Sequence, residues 1–412
     1  MTELDVPLIL ASMIVMGKIY TISASEIRES NRSSILNMVR CNGPISRIQI
    51  SEYLQVNLPT VMQIVDELIL DNLITEIDEK KWSGGCKRTR LIFNGSEHLV
   101  IGIDLGGTKI YGAVADFNGE IHHEVQHDHH ETKANESLEL VFNVIDQCLV
   151  YVQKMDLPVR GIGIGVPGVV QPDTGIVTIA PALDWVNYPL KDHLVARYSY
   201  PIAIENDVNL AALGEMWFGT TGDEVNMVLL TIGTGIGAGI IINGTIYGGS
   251  HNMAGEVGYF LPDRSYLGQQ FSGFGALEKL ASGLGIARRA RQALEGCRSQ
   301  EELESLTAYD VFDAVRRKET WTINVFNETV AYLAQLIAAL LVIIDPDVVI
   351  LGGGVSKSAD LLIEPICNLL NGTLLTVPSL RASKLGYRAG VMGAIIRLMR
   401  ISSNYYSLHK FS

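Results

Sequence analysis

Three glycine-rich turns, each following an apolar run, carry the clearest chemistry in this sequence. The first is Asp104-Leu-Gly-Gly-Thr-Lys109, between VIGI and IYGAVA. The second is Thr231-Ile-Gly-Thr-Gly-Ile-Gly-Ala-Gly239, between MVLL and IIIN. The third is Leu351-Gly-Gly-Gly-Val-Ser356, after DPDVVI and ahead of an expected helix. A Gly-Gly turn lets backbone N–H groups close around phosphate oxygens, and an acidic residue at a strand end can hold Mg2+ through water. The expected phosphate contacts are Asp104, Gly106, Gly107, Thr108 and Lys109, then Gly233, Thr234, Gly235 and Gly237, then Gly353 and Gly354. One such turn also joins ordinary hairpins. Three of them, all after strands, suggest two similar lobes clamping a nucleotide, which is ATP with Mg2+ if the chain is a kinase.

Between the first two turns stand Gly161-Ile-Gly-Ile-Gly-Val-Pro-Gly168 and Ile204-Glu-Asn-Asp-Val-Asn209. The second reads as an apolar strand ending at Asn206-Asp207, then an alanine-rich helix. A carboxylate at a strand end can take a hydroxyl proton during phosphoryl transfer. A lone strand-end Asp is more often a helix N-cap, but the company of three phosphate turns makes Asp207 the expected catalytic base.

The elements upstream have another character. Ile35, Leu36 and Val39 lie at helical spacing, and Gly43-Pro44 stops that helix. Ser46 is an expected N-cap for a helix over 47–54, with Ile48, Ile50 and Leu54 apolar. After a turn at 55–58, Pro59 opens a third helix over 59–71 whose inward stripe is Val61, Ile64, Val65 and Leu68. The following LITEIDEKKWSGGCKRTRLIF reads as a β-hairpin wing. Together these describe a winged helix-turn-helix, with a helical dimerisation module as the alternative. The third helix carries neither Lys nor Arg, so base reading rests on Thr60 and Gln63. Arg47 and the wing residues Lys80, Lys81, Lys87, Arg88 and Arg90 are the expected phosphate contacts.

Charge supports this division. The chain carries a net −13, yet residues 24–94 are neutral, with nine Lys/Arg against nine Asp/Glu. The only plausible nucleic-acid surface is therefore the N-terminal segment. Hydrophobic residues make up 47% and charged residues 19%, enough apolar surface for sizeable cores. The five cysteines are scattered without paired spacing, which suits reduced thiols and a cytoplasmic location. The apolar run at 7–22 follows Glu3 and Asp5, the wrong sign for a signal peptide, and Lys18 interrupts it; no membrane span is expected. The expected organisation is a leader (1–23), a DNA-binding domain (24–95), a first lobe (96–210, completed by a helix over 389–412) and a second lobe (211–388).

The motifs DLGGTK, G-x-G-x-P-G, END, GTGIGAG and, at 254–258, AGEVG stand in the order found in the ROK family (repressors, open reading frames and kinases), and the chain resembles that family from about Asn31 to Arg400. N-R-x-x-I-L and G-P-I-S-R resemble the winged helix of its regulators. The resemblance implies an α/β, actin-like two-lobed fold of the sugar-kinase type behind an N-terminal winged helix-turn-helix. It implies Asp207 as the base and Gly168, Asn187, Asn206, Asp207, Glu256 and Glu278 around a sugar. Many relatives place His after A-G-E-x-G, then a cysteine-rich run that binds structural zinc. Here Tyr259 stands at the His position and YLGQQFSGFGALEKLASG has no cysteine, so no structural zinc is expected. The wing also lacks the proline of G-G-R-R-P, keeping the charge as Gly-Gly-Cys-Lys-Arg.

One cluster lies off these motifs: His122, His123, His127, His129 and His130. Strand alternation would put His123, His127 and His129 on one face, open to a metal-site or pH-sensor reading, against which stands a solvated hairpin that holds no metal. The sequence leaves three functions open: a sugar-responsive regulator, an ATP-dependent hexose kinase, or both. The expected partners are operator DNA and a sugar or sugar phosphate, the expected assembly a homodimer or dimer of dimers.

Changing Lys87, Arg88 and Arg90 together to Ala should weaken DNA binding and flatten its dependence on salt, because each lost phosphate contact removes about 0.9 from the log–log slope. Gel-shift titrations at several salt concentrations measure it; an unchanged slope would show that these residues do not touch DNA.

Overall fold

The computed structural model describes residues 24–78, 89–128, 134–219, 222, 224–271 and 275–401, with two short paired pieces, Ile14–Val15 (β1) and Lys18–Ile19 (β2). Contacts divide the chain between Phe93 and Asn94.

In the first unit, helices α1 (Ala24–Asn42), α2 (Arg47–Leu54) and α3 (Leu58–Leu70) close around Ile35, Leu36, Val39, Ile50, Val61, Ile64, Val65 and Leu68, all buried. Ser46 caps α2 reciprocally: its hydroxyl accepts from Gln49 N, and Gln49 Oε1 accepts from Ser46 N at 3.1 Å. Asn57 caps α3 by accepting from Thr60 N at 2.9 Å, one residue earlier than the sequence pattern placed the helix start. Strands β3 (Ile74–Asp78) and β4 (Thr89–Phe93) form the antiparallel hairpin, Ile74 opposite Phe93 and Asp78 opposite Thr89. The wing tip, with Lys80, Lys81, Lys87 and Arg88, lies outside the described residues.

The second unit holds two five-stranded sheets of one design. In the first, β5 (Leu99–Leu105), β6 (Lys109–Asp116) and β7 (Ile121–Asp128) make an antiparallel meander. Helix α4 (Ala134–Val152) leads to β8 (Val159–Val166), parallel to β5. A small antiparallel sheet follows, β9 (Val169–Gln171), β10 (Ile176–Ala180) and β11 (Trp185–Tyr188), then helix α5 (Leu190–Arg197). Strand β12 (Ile202–Asn206) adds parallel to β8, giving the order β12-β8-β5-β6-β7. Helix α6 (Asp207–Phe218) leads out to the second sheet.

There β13 (Met227–Ile232), β14 (Ile236–Ile242) and β15 (Thr245–Ile246) repeat the meander, and β16 (Val348–Gly352) and β17 (Ser379–Ala382) repeat the parallel pair, in the order β15-β14-β13-β16-β17. The first and second glycine turns thus occupy the same position in each sheet, between the first two meander strands. Helices α7 (Glu278–Ala281), α8 (Gly283–Ala293), α9 (Gln300–Ser305), α10 (Ala308–Arg316), α11 (Thr322–Ile344) and α12 (Ala359–Leu370) surround the second sheet. Helix α11 is long and apolar enough to cross a membrane by length and composition. Its Leu333, Ile337 and Leu340 are instead buried in the second core, where its hydropathy is used.

The last helix, α13 (Ala389–Ile401), covers the face of the first sheet opposite α4. Alternate residues of β6 show the two faces: Gly112 looks to Val144 and Cys148 of α4, while Tyr111 and Ala113 pack with Val391 of α13. Helix α6 crosses α13 almost backbone to backbone. A Cβ on Gly393 would fall 1.7 Å from Leu210 O, and one on Gly214 2.2 Å from Ala389 O. On its other side α6 packs on β13 and β14. The helix therefore serves both lobes, and the expected lobe boundary at 210/211 falls inside it.

Gly393→Ala should destabilise the second unit by about 2 kcal/mol or more, since the clash is with backbone that cannot rotate away. A urea denaturation midpoint equal to that of the wild type would rule out so close a crossing.

Candidate functional site

Side chains of four acids meet around the start of α6. Asn206, not Asp207, is the N-cap: its Oδ1 accepts from Asn209 N at 3.0 Å, and its Nδ2 donates to Gly168 O at 2.9 Å. Asp207 is thereby left as the first helical residue, its Oδ1 accepting from Val208 N at 2.9 Å. Burial pushes the Asp207 carboxyl up to about 6. Burial, then the nearby Asp207 charge, pushes Asp104 up to about 8. Burial, then Asp207 and Glu278, pushes Glu256 up to about 7. These are carboxylates that gain from a proton, a hydroxyl or a cation placed among them. Asn206, Asn209, Gly237, Asn252, Gly255 and Glu256 line a cleft between the lobes. Asn252 was not singled out by the sequence; it stands two residues before AGEVG with a left-handed backbone (φ 54°), the one signal it offered.

The glycine turns come to the same region. Gly106 N donates to Lys109 O at 2.8 Å, and Gly233 N to Gly235 O at 2.9 Å, closing each turn tightly while Thr108 and Thr234 stay exposed at the tips. Because β16 runs parallel beside β13, the third turn lies against the second: a Cβ on Gly353 (φ 75°) would strike the Ile232 backbone. Gly354 faces Tyr309.

Several expected contacts are engaged differently or stand elsewhere. Gly237 lies inside β14 against Val208 and lines the cleft rather than the turn. Lys109 is exposed, 3.9 Å from Asp128 on the neighbouring strand. Asn187 is exposed on β11 with a left-handed backbone and is not among the residues lining the cleft. Glu278, expected to meet sugar hydroxyls, has both carboxylate oxygens on backbone amides: Oε1 accepts from Ile236 N and Oε2 from Gly275 N, each at 2.9 Å. Tyr259 is near enough to Glu256 and Glu278 that, after burial, their charges raise its hydroxyl pKa.

In the first unit, Gln63 is exposed on α3 and Thr60 is half-buried, both off the inward stripe. Arg47, an expected phosphate contact, has acidic partners of its own. Its guanidinium is held inside the unit, 2.9 Å from Asp66 on α3 and 2.5 Å from Glu76 on β3. Glu67 is likewise bridged by Arg28, and Asp71 by Arg32 at 2.5 Å. Arg90 donates to Pro44 O at 3.1 Å, turned back to the loop ahead of α2.

The described histidines of the cluster, His122, His123 and His127, each have a separate partner. His123 stacks on Tyr151 at 4.6 Å between ring centres, His127 lies 3.0 Å from the Gln147 amide nitrogen, and His122 lies 3.4 Å from Asp116. His123 and His127 do share a face, the one towards α4. Among the described residues no three His, Cys, Asp or Glu side chains converge as a metal site; His129 and His130 lie outside them.

Two lobes of one strand order, a glycine turn on each, and a carboxylate opening the helix they share define an actin-like protein of the sugar-kinase type. The chain belongs to the ROK family, whose profile matches residues 100–400. A xylose repressor from Caldicellulosiruptor bescii is 30% identical over 386 residues, covering 90% of this chain and 95% of its own length. A solved ROK-family transcriptional regulator, a homologue of the E. coli MLC protein, shares the fold with a TM-score of 0.81 at 24% identity, over 92% of this chain and 98% of its own. A ROK-family glucokinase from Streptomyces griseus, solved with glucose and AMPPNP, matches with a TM-score of 0.62 at 29% identity, over 72% of this chain and 98% of its own.

The raised Glu256 pKa has a measurable sign. A carboxyl that holds its proton more tightly folded than unfolded costs stability as pH climbs from the ordinary glutamate range to about 7, and the cost stays above that. Glu256→Gln keeps the neutral shape, so it should melt higher than wild type at pH 8 and converge with it near pH 5. The difference at pH 8 is about 3 kcal/mol, from the rise between 4.5 and about 7 at about 1.4 kcal/mol per pH unit. Equal melting curves at both pH values would place Glu256 in open solvent.

Proposed function

We propose that the chain is a sugar-responsive transcriptional regulator. The first unit binds operator DNA, with Gln63 and Thr60 towards base edges and the wing on phosphates, and the cleft beside Asp207 and Glu256 binds the sugar. The observation that carries this is the helical unit ahead of Asn94. The relative that spans 90% of the chain is a xylose repressor, whereas the glucokinase, almost complete in its own length, leaves that unit uncovered. Asparagine amides and carboxylates are the groups that bind polyols, the amide both donating to and accepting from hydroxyls and the carboxylate accepting from them. Among the described residues, those lining the cleft include the Glu256 carboxylate and the amides of Asn206, Asn209 and Asn252 but neither Lys nor Arg, which favours an uncharged sugar over a sugar phosphate. The protein acts in the cytoplasm as a homodimer, since two-fold operators go with two-fold proteins.

A kinase activity beside regulation has its own support in Asp207 and the glycine turns. The turn tips at Gly107, Thr108, Thr234 and Gly235 and the turn at Gly353 and Gly354 would surround the phosphates of ATP, with the Gly106 and Gly233 amides closing their own turns, and Asp104 would hold Mg2+ through water, which also suits its crowding against Asp207. The ion supplies charge neutralisation at the phosphates when bound. Asp207 takes the proton from the sugar hydroxyl, a task for which a carboxyl near 6 is suited at neutral pH.

The test sets wild type beside Asp207→Asn. Operator binding is followed by gel shift with D-xylose, D-glucose and their phosphates, and ATP turnover with the same sugars. The regulator reading expects an uncharged sugar to change operator affinity; if no DNA fragment from the neighbouring genes is bound, with or without sugar, it fails. Retained catalysis expects Asp207→Asn to lose about 10²–10⁴ in turnover, and wild-type turnover no higher than the variant's for every sugar removes the kinase.

A further inference from the structure

The first two turns of α3 show solvent a face of mixed chemistry. Opposite the inward stripe of Val61, Ile64, Val65 and Leu68, the outward residues are Leu58, Pro59, Met62, Gln63 and Asp66, all exposed. Leu58 and Met62 stand one turn apart on one edge of that face, 37% and 48% exposed, and Gln63 stands on the other edge. The helix itself has no cation to add. Three arginines of α1 and α2 are already engaged by carboxylates of α3 and of the residue that ends it. Arg47 donates to Asp66 at 2.9 Å, Arg28 donates to Glu67, and Arg32 bridges Asp71 at 2.5 Å.

In a helix-turn-helix the first turns of the second helix meet base edges in the major groove, and there each base asks for a different side chain. Guanine takes a bidentate Arg or Lys, which α3 lacks, and the arginines bonded to it are spent on carboxylates. Cytosine offers its amino group to a carboxylate; Asp66 is the one acid of this face, and Arg47 holds its Oδ1. Adenine takes the amide of Gln or Asn, and thymine takes an apolar contact on its methyl group. Gln63 and the Leu58–Met62 pair are side chains of these last two kinds. We propose that α3 reads A·T pairs, Gln63 on the adenine edge and Met62 with Leu58 on thymine methyls. This rests on the regulator reading above and adds to it the base composition of the half-site. Met62, unbranched and polarizable, can follow a methyl group without a fixed rotamer. None of these side chains is charged, so they set which sequence is bound and not how salt acts on the binding.

The test uses full-length protein to select from duplexes with a randomised core, with and without D-xylose and D-glucose. The positions whose preference changes in Gln63→Ala or Met62→Ala are those that α3 meets, and A·T is expected at them. Gln63→Ala should lose about tenfold in the preference for A·T over G·C at one such pair. Deoxyuridine in place of thymine removes the methyl alone. It should weaken wild-type binding about fourfold at the position Met62 covers, the effect of burying one such group, and leave Met62→Ala unchanged. In both variants the slope of log affinity on log salt should stay that of wild type. G·C fixed at those positions overturns the A·T reading and leaves the regulator standing. Deoxyuridine bound as tightly as thymine throughout the half-site overturns it as well. So do sequence preferences identical in wild type and both variants, since α3 would then not touch the bases. A protein that selects no duplex under any condition removes the regulator reading, and this one with it.

Discussion

The near-contact of the α6 and α13 backbones, allowed by Gly214 and Gly393, is the constraint on which the second unit depends. It fixes where α6 points, and α6 opens with Asp207. Because the same helix packs on β13 and β14, the direction of Asp207 is set by both lobes at once. A buried carboxylate, Glu215, fastens the far end of α6 by accepting from Ser383 Oγ and, at 2.9 Å, from Leu385 N just ahead of α13. Losing such a bond in the interior leaves a desolvated charge, so the fastening is costly to break. Two helices that cannot slide past each other at their crossing can still pivot about it, the geometry that a cleft between lobes needs.

What the sequence made legible was local. A glycine turn after an apolar strand depends on residues within a few positions, as do the Ser46 cap, the inward stripe of α3 and the strand-end position of Asp207. What stayed hidden depends on residues far away in the chain. Arg47 reads as a free cation until Asp66 and Glu76 are brought to it by the folding of α3 and β3. Glu278 is placed near the sugar by family position, and only the folded loops show that Ile236 and Gly275 also donate to its oxygens. The lobe boundary fell inside α6 for a related reason: a helix shared by two cores has no composition break to mark it.

Internal pairing also bears on how α3, which has neither Lys nor Arg, would approach DNA on the reading proposed above. Asp66 and Glu67 on α3 would repel phosphates, yet Arg47 and Arg28 sit on them. Exposed pairs of this kind add little stability, about 0–1 kcal/mol each. Their larger effect is on the field: they cancel the negative charge of α3 within the unit. On the regulator reading proposed above, specificity would then fall to neutral side chains such as Gln63.

Helix α13 packs on β5, β8, β6 and β12 on one face of the first sheet, whose strands begin at Leu99, and it follows them only late in the chain. During synthesis on the ribosome, β5, β6 and β8 therefore emerge and pair long before their lid exists. Their apolar face stays wet, or in the keeping of a chaperone, until Ala389–Ile401 has been made. The second lobe, whose helices α7 to α12 lie between its own strands in sequence, has no such wait. The lobe translated first is thus the lobe completed last, and a chain cut short before α13 leaves a sticky sheet exposed to its neighbours rather than a smaller working protein.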